Sequence, residues 1–330
     1  MDLGNPYGVQ PAHDLLQVPN DREPGWGENL VCVGNDLSSG MSFYAHFSRV
    51  APDPAVWEGV LCLHLTNGDI LVSRSFASSQ ADDLADAGAI SFRCVEPCRT
   101  WQLQFDGMVR RVRTKQLAAG LHIDGPVEPL RMDITAEAVL PPWSAGAIVG
   151  QDFGHMHLEQ AVQLDGSVTT AGVTTEFSCR GFRDHSRGAR DHSKLAREGW
   201  SFGFTPSGKV YFGVRIWQDD GPGFTAGMLF DGTTIHDVAA MEVPPVTSPA
   251  GDPGEVRITL GGDFGTVAVA GQLTAATPFT LLHPIGQALG VDIDEPGATM
   301  LVEGPLVFEW ADEQGYGWLE RLARIRDLRR

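Results

Sequence analysis

The chain has 330 residues and a formal net charge of −18, with 24 Lys and Arg residues against 42 Asp and Glu residues. A surface this acidic repels nucleic-acid phosphates and anionic membranes, so we expect neither as a partner. Hydrophobic residues make up 42% of the sequence, with 39 glycines and 21 prolines. This composition is typical of a folded protein that is rich in turns rather than in long helices.

The first 28 residues are polar and rich in proline and glycine, and they predict an irregular lead-in. The start of the sequence has neither the basic nor the apolar stretch of a signal peptide. The five cysteines show no framework spacing, and no apolar run is long enough to span a membrane. We therefore expect a cytoplasmic protein with reduced thiols and no stable membrane insertion.

From Leu30 onward, short apolar runs alternate with turn signals at the spacing of an antiparallel sheet. Asn-Gly at Asn67 and Asp-Gly at Asp106 and Asp165 predict hairpin turns, because these residue types tolerate positive φ. Residues 78–87 predict either a short helix or a loop.

A turn-rich stretch over residues 140–154 interrupts the rhythm of the strands. We place the domain boundary there, which predicts one β domain over residues 29–150 and a second over residues 151–330. Apolar residues recur at helical spacing from Leu319 to Leu328 and predict a short amphipathic helix at the C-terminus.

Many short strands, with little room for crossover helices, exclude a parallel α/β sheet. They predict an all-β fold of two consecutive antiparallel barrels or sandwiches, followed by the short C-terminal helix. A barrel of about eight to ten strands is wide enough to hold one small ligand. The 8 tryptophans and 16 phenylalanines could line such a cavity, so a hydrophobic small molecule is the expected partner.

The densest group of polar residues is the segment 181–191, GFRDHSRGARD. Adjacent Asp184 and His185 suit acid–base chemistry, because a carboxylate orients an imidazole and raises its pKa. Asp184 and Asp191 are candidate acids, and His185 is a candidate base that orients water. Arg190 is a candidate for holding a carboxylate through its guanidinium fork. An ion-paired rim without chemistry is equally compatible with this segment.

His155, His157 and Glu159 alternate along one predicted strand, so their side chains share one face. Two imidazoles and a carboxylate suit a metal ion, but no further ligand follows at a fitting spacing. We therefore expect no metal. We expect no organic cofactor either, because no nucleotide-binding motif such as GxGxxG appears in a fitting context. His157 and Glu159 are assigned to a ligand-binding surface, with a hydrogen-bonded pair on a solvated strand as the alternative.

Five further residues complete the candidate ligand-binding set. Trp200 and Phe202 would wall the cavity in the second half, and Tyr44 and His46 share one strand face in the first. Glu320, in the motif GYGWLE, either points into the barrel or begins the C-terminal helix.

Together, these motifs resemble the two-domain lipocalin-like superfamily that includes carotenoid 1,2-hydratases (hydroxyneurosporene synthases) and AttH-like proteins. The resemblance rests on GENLVCVG in the first half and on HMHLEQ, GFRDHSRGARD and GYGWLE in the second. It covers nearly the whole chain and implies lipocalin-like barrels that act as hydratases or as cyclases, including Diels–Alder catalysts. Arg187 and His192 stand where relatives usually carry tryptophan, which implies a shorter or more polar ligand than a long polyene.

We therefore predict a lyase, hydratase or isomerase that acts by acid–base chemistry on an apolar small molecule such as a terpenoid, steroid or polyketide. One alternative is a non-catalytic carrier or sensor of a hydrophobic ligand. Another is a cyclase whose shape, rather than its acid–base groups, accelerates the reaction. The oligomeric state is left open, with a homodimer among the alternatives.

Overall fold

The computed structural model describes residues 4–17, 26–50, 52–121, 123–144, 156–189, 195–219, 223–282, 286–295, 297–310 and 312–328. Strands account for 68% of the described residues and helices for 3%, which confirms the predicted all-β class. The helices of the described residues are α1 (Thr114–Leu117) and the 3₁₀-helices Pro11–His13 and Ile325–Asp327. None of them is long and apolar enough to cross a membrane.

The first barrel is built from an antiparallel sheet of eleven strands. These are β1 (Trp26–Asp36), β2 (Met41–Val50), β3 (Asp53–His64), β4 (Ile70–Ser78), β5 (Leu84–Asp86), β6 (Ile90–Glu96), β7 (Thr100–Val112), β8 (Val127–Ala138), β9 (Trp143–Ser144), β10 (Met156–Thr170) and β11 (Val173–Ala189). Eight of them close in the order β4-β3-β2-β1-β11-β10-β8-β7, because β4 also pairs with β7. Strands β6 and β5 continue the sheet beyond β7, and β9 pairs with β10.

The second barrel is built from an antiparallel sheet of ten strands. These are β12 (Leu195–Phe204), β13 (Val210–Gln218), β14 (Phe224–Phe230), β15 (Ile235–Glu242), β16 (Gly254–Gly262), β17 (Gly265–Leu273), β18 (Thr277–Leu282), β19 (Gly286–Leu289), β20 (Thr299–Trp310) and β21 (Glu313–Arg324). Eight close in the order β17-β16-β15-β14-β13-β12-β21-β20, through the pairing of β17 with β20. The chain thus repeats one eight-stranded architecture.

Contacts divide the chain into two compact units. The first is Met1–Val112, Gly125–His192 and His283–Gly286, and the second is Arg113–Asp124, Ser193–Leu282 and Gln287–Arg330. Strands β10 and β11 follow the boundary predicted at residue 150, yet both pair within the first sheet. The reason is barrel closure: β11 supplies β1 with its second neighbour, so that neither strand is left as an open edge.

Two of the predicted hairpin turns are instead parts of long strands. Asp106 lies within β7 and Asp165 within β10, and both strands have partners on two sides. Glycine follows Asp165 because a Cβ there would lie 1.9 Å from the carbonyl oxygen of Asp133. The Asn67 dipeptide does form a turn between β3 and β4, where Gly68 has a φ of +80°.

The chain ends in a strand rather than in the predicted amphipathic helix. β21 pairs with β20 as far as Arg324, and only the 3₁₀-helix Ile325–Asp327 follows. Leu319 and Leu322 point to opposite faces of β21, and both are buried. A strand that is buried on both faces loses its period-two pattern, which explains why the sequence favoured a helix. Residues 78–87 hold no helix either, because they include the end of β4 and all of β5.

We expect Gly317→Ala on β21 to lower the free energy of unfolding by about 1–3 kcal/mol, the usual cost of overpacking. A Cβ at this position would lie 2.0 Å from the carbonyl oxygen of Phe202 and 2.7 Å from the Cα atom of Gly203. Urea unfolding followed by tryptophan fluorescence measures the change. Gly261→Ala on β16 is the matched control, since the nearest atom to its Cβ would be 3.4 Å away. Equal stability of the two variants would contradict this close approach.

Candidate functional site

Residues 181–189 of the predicted polar segment form the C-terminal part of β11, where side chains alternate between two faces of the sheet. The guanidinium of Arg183 lies 5.2 Å from the ring centroid of Trp101 on β7, and the ring of His185 lies 6.2 Å from it. Because β7 and β11 are not neighbours in the sheet, these contacts cross the barrel interior. Asp184 and Ser186 therefore point outward. The adjacent Asp and His of the sequence lie on opposite faces of the sheet.

On the outer face of the first barrel, Asp184 contacts a histidine of the neighbouring strand β10. The register places Glu159 opposite Asp184 and His157 opposite Ser186. The Nε2 atom of His157 lies 2.5 Å from Oδ2 of Asp184 and 3.0 Å from Oε1 of Glu159. The hydroxyl of Ser186 donates a hydrogen bond of 3.3 Å to Oδ1 of Asp184. We call His157, Glu159 and Asp184 the outer triad.

The outer triad is enclosed but not sealed. The side chain of His157 is 24% exposed and that of Asp184 is 10% exposed, whereas Glu159 is fully buried. Burial alone would lower the pKa of His157, but the carboxylates of Asp184 and Glu159 outweigh it and raise this pKa to about 10. The imidazole is therefore protonated at neutral pH, and its Nε2–H group is shared between the two carboxylates.

The outer triad must also be compared with a metal site. Among the described residues, the outer triad is the group whose ligand atoms lie close enough together to hold a metal ion, with all three atoms within 4.8 Å of one another. Here the ligand atoms contact each other directly, so an ion would have to displace the shared proton. We interpret the triad as an acid–base group.

Tyr44 and His46 of β2 lie on the same outer face as the triad. Both His46 and Asp184 are opposite Val31 of β1, on either side of that strand, which places them about 10 Å apart. The rings of Tyr44 and His46 are stacked, with centroids 6.1 Å apart and an interplanar angle of 5°. Both side chains are buried. They form an enclosed aromatic wall beside the triad.

The other described ligand-binding candidates belong to the second unit. Trp200 and Phe202 of β12 contact each other edge to face, with ring centroids 5.3 Å apart. Trp200 is paired with Glu320 of β21, so Glu320 lies within a strand and not at a helix start. All three point away from the barrel core, which Tyr211 and Leu319 help to fill from the opposite face. Trp200 and Phe202 are both buried, and with Glu320 beside them they form an aromatic layer on the outer face of this sheet.

Inside the first barrel, Asp14 binds β11 from the interior. Its two carboxylate oxygens accept hydrogen bonds of 2.8 Å each from Nη1 and Nη2 of Arg183, a bidentate pair. Oδ2 also accepts from Nε1 of Trp101 at 3.0 Å and from the backbone N–H of Cys98 at 2.6 Å. Nδ1 of His185 lies 3.4 Å from Oδ1. One carboxylate thus connects β11 with β7 and with the turn that precedes β7.

Glu28 of β1 holds the other side of His185. The Nε2 atom of His185 lies 3.1 Å from Oε1 of Glu28, and Oε2 accepts a hydrogen bond of 2.9 Å from Nε of Arg49. The backbone N–H of Gln17 donates to both Glu28 oxygens at 3.1 Å. This network closes around a histidine that is 0% exposed. We call Asp14, Glu28, Arg183 and His185 the inner clamp.

Charges within the inner clamp stabilise one another. Burial would raise the pKa of Asp14, but Arg183 and His185 hold it well below its usual range. Burial would likewise lower the pKa of His185, but hydrogen bonds and charge from Asp14 and Glu28 raise it. Since both nitrogens of His185 face carboxylates and the ring is fully buried, this geometry suits a structural role better than the predicted orientation of water.

Three residues of the predicted clusters lie outside the described residues. They are His155, Arg190 and Asp191. Their roles remain predictions. Arg187, which the resemblance singled out, is on the inner face, where its Nη1 atom lies 3.6 Å from Oε1 of Glu28.

Asp14 is the residue that the sequence reasoning missed. It lies in the predicted irregular lead-in, 169 residues before its partner Arg183. The available signal was local: Asp14 precedes two leucines, Leu15 and Leu16, in an otherwise polar stretch. Leu16 is 3% exposed, and its backbone N–H donates to the carbonyl of Asp82. An apolar pair within a polar lead-in therefore indicated a segment that packs against the barrel.

A groove with a volume of about 570 Å³ lies on the second barrel. Its polar lining includes Glu255, Arg257, Gln272, Glu309 and Gln314 from β16, β17, β20 and β21. None of the predicted site residues lines it, and we assign it no role.

The profile of a protein family described as a domain of unknown function (DUF7064) matches residues 10–325. The chain belongs to the DUF7064 family. No curated protein matches its sequence. For this DUF7064 member, the comparison with solved structures is informative about the fold.

An AttH-like protein (NE1406) from Nitrosomonas europaea is similar, with a TM-score of 0.60 and 13% identity over 92% of this chain and 98% of that chain. CghA crystallised with Sch210972 has a TM-score of 0.56 and 11% identity over 97% of each chain. CghA alone has a TM-score of 0.53 and 11% identity over 99% of this chain and 98% of that one. At these identities the likenesses show a shared fold only. The resemblance to carotenoid 1,2-hydratases stays a prediction.

Proposed function

We propose that this DUF7064 protein is an isomerase or lyase that moves a proton on an apolar small molecule, with the outer triad as its acid–base group. The observation that carries this proposal is the position of His157 Nε2, 2.5 Å from Asp184 and 3.0 Å from Glu159, on a side chain that is 24% exposed. A carboxylate beside a protonated imidazole offers a base and a hydrogen-bond donor in one place.

This ion pair favours proton abstraction next to a carbonyl. The Asp184 carboxylate would take a proton from carbon. The Nδ1–H of the His157 imidazolium, rather than the Nε2–H that the two carboxylates share, would donate a hydrogen bond to the oxygen on which negative charge develops. Return of the proton to a different carbon completes an isomerisation. Departure of a β substituent with its bonding electron pair, while the abstracted proton stays on Asp184, completes an elimination. With a pKa of about 10, His157 is too weak an acid to protonate an isolated double bond. We therefore place the isomerase and lyase ahead of the hydratase.

Burial separates the roles of the two carboxylates. Asp184 is 10% exposed and is the better placed to reach a substrate, whereas the fully buried Glu159 can orient the imidazole. Tyr44 and His46 supply an enclosed wall on the same face. Support for a ligand also comes from CghA, a protein of similar fold that was crystallised with Sch210972.

Deuterium uptake tests the proposal whatever the product is, because the label enters the substrate itself. The protein is incubated in D₂O with a panel of lipophilic ketones and enones, and mass spectrometry follows exchange at the carbon next to the carbonyl. We expect exchange above the buffer rate for at least one compound. Asp184→Asn should lower it by about 100-fold or more, the contribution typical of a general base. His157→Gln should lower it as well.

Asp133→Asn on β8 is the matched control, because Asp133 is an exposed aspartate of the same barrel. It should exchange deuterium at the rate of the unaltered protein. Exchange at the buffer rate across the whole panel would contradict the proposal. So would undiminished exchange in Asp184→Asn.

A non-catalytic carrier is the second candidate. It is favoured because the polar groups of the outer triad already bind one another, with Nε2 of His157 in contact with both carboxylates. If the protein is a carrier, native mass spectra of the purified protein should show a bound hydrophobic molecule, and Asp184→Asn should still bind it. Neither protein should show turnover. Turnover that survives both Asp184→Asn and His157→Gln would point instead to the cyclase, in which shape accelerates the reaction.

A further inference from the structure

Both sequence neighbours of Asp184 are held from inside the barrel. Arg183 forms two hydrogen bonds of 2.8 Å with Asp14, and His185 lies between Asp14 at 3.4 Å and Glu28 at 3.1 Å. Because side chains alternate along β11, these interior contacts fix the backbone on either side of a residue whose own side chain points outward. The inner clamp and the outer triad therefore share one short piece of strand.

We infer that Asp14 is a positioning residue for Asp184, acting through Arg183 and His185. The inference rests on the proposed function of the outer triad. Asp14 touches no residue of that triad, and it influences the triad only through the strand between the two faces. The inference adds to the candidate site a residue near the N-terminus that takes no part in the acid–base chemistry itself.

Asp14 can act in this way because it is itself fixed. Its Oδ2 atom accepts hydrogen bonds from Nε1 of Trp101 on β7 and from the backbone N–H of Cys98, in the turn that precedes β7. The Arg183 guanidinium also donates to Oε1 of Gln160 on β10, at 2.9 Å from Nε. β11 is thereby tied across the interior to the opposite wall and sideways to the strand that carries His157 and Glu159.

The contact that depends on this arrangement is short. Nε2 of His157 and Oδ2 of Asp184 are 2.5 Å apart, and this contact joins two strands, β10 and β11. The contact between His157 and Glu159, by contrast, lies within β10. Functional groups need to be held within about 0.5 Å of a productive geometry. Without the clamp, residues 183–185 could shift relative to β10, and the His157–Asp184 contact would lengthen first.

Proton NMR at one fixed pH tests the inference by a readout that is independent of activity. A charge-assisted imidazole N–H···carboxylate contact gives a downfield proton resonance. His157→Gln and Asp184→Asn should each abolish it, which assigns it to the triad. We expect Asp14→Asn to shift this resonance upfield or to abolish it in a protein that remains folded. Arg183→Lys, which keeps the charge but lacks the fork, should do the same.

Ile134→Ala on β8 is the matched control for a loss of stability alone. Ile134 is a fully buried apolar residue of the same barrel, and its side chain cannot hydrogen-bond to the clamp. It should lower Tm and leave the resonance in place. If Asp14→Asn does not fold, Arg183→Lys decides. An unchanged resonance in Arg183→Lys or in folded Asp14→Asn would overturn the inference, and so would its loss in Ile134→Ala. Failure of the deuterium assay would instead overturn the proposed reaction.

Discussion

Arg183→Met will lower the free energy of unfolding by about 3–5 kcal/mol, the cost of breaking a buried ion pair by removing one partner. Arg183 is 2% exposed and Asp14 is 0% exposed, so the remaining carboxylate would stay buried without its guanidinium partner. Urea unfolding at pH 7, followed by tryptophan fluorescence, measures the loss. It is the largest effect that we expect from any single substitution in this protein.

The double variant Asp14→Leu/Arg183→Met is the control for this result. Replacing both charges with apolar side chains removes the unpaired carboxylate, so we expect part of the lost stability to return. Recovery should be incomplete, because Nε1 of Trp101 and the backbone N–H of Cys98 lose their acceptor when Asp14 is replaced. A double variant that is as unstable as Arg183→Met alone would show that the unpaired carboxylate is not the main cost of losing Arg183.

Alkaline pH should destabilise the protein through His157. Its pKa is about 10 in the folded state and about 6.5 in the unfolded state. Because the folded pKa is the higher one, this stabilisation is fully present below about pH 6.5 and is lost as the pH rises through about 10. The difference, about 3.5 pKa units, sets an upper limit of about 5 kcal/mol, which partial exposure of the imidazole reduces.

Denaturant unfolding at pH 7, 8.5 and 10 measures this loss as a difference between the unaltered protein and His157→Gln. The comparison is needed because His185, whose pKa is also raised, loses stabilisation in the same direction. His157→Gln is expected to be less stable at pH 7 and to lose less stability by pH 10. Parallel stability curves for the two proteins would contradict the charged state assigned to His157.

Local patterns were sufficient to predict the strands and the fold class. The Asn67 dipeptide forms a hairpin turn, because a tight turn needs positive φ whatever surrounds it. The dipeptide at Asp165 misled, since its glycine serves the close approach of a neighbouring strand. The stretch from Leu319 misled as well, because a strand buried on both faces lacks alternation. Period and turn chemistry are local properties, whereas burial on two faces is not.

The candidate site was predicted as a set of residue types, but its arrangement was not. The sequence identified Asp184 and His185 as chemically promising, and strand alternation alone already implies that adjacent residues face opposite sides. Which of the two joins His157 depends on the register between β10 and β11. The sequence does not state that register, because it follows from how the whole barrel closes.

By itself, the sequence determined an all-β chain with a polar cluster over residues 181–191 and a His–Glu pair at His157 and Glu159. Only the tertiary structure decided that Asp184 completes an outer triad and that Asp14 clamps β11 from within. The physical reason is that hydrogen-bond partners far apart in the chain are chosen by barrel closure and strand register, which no local pattern encodes.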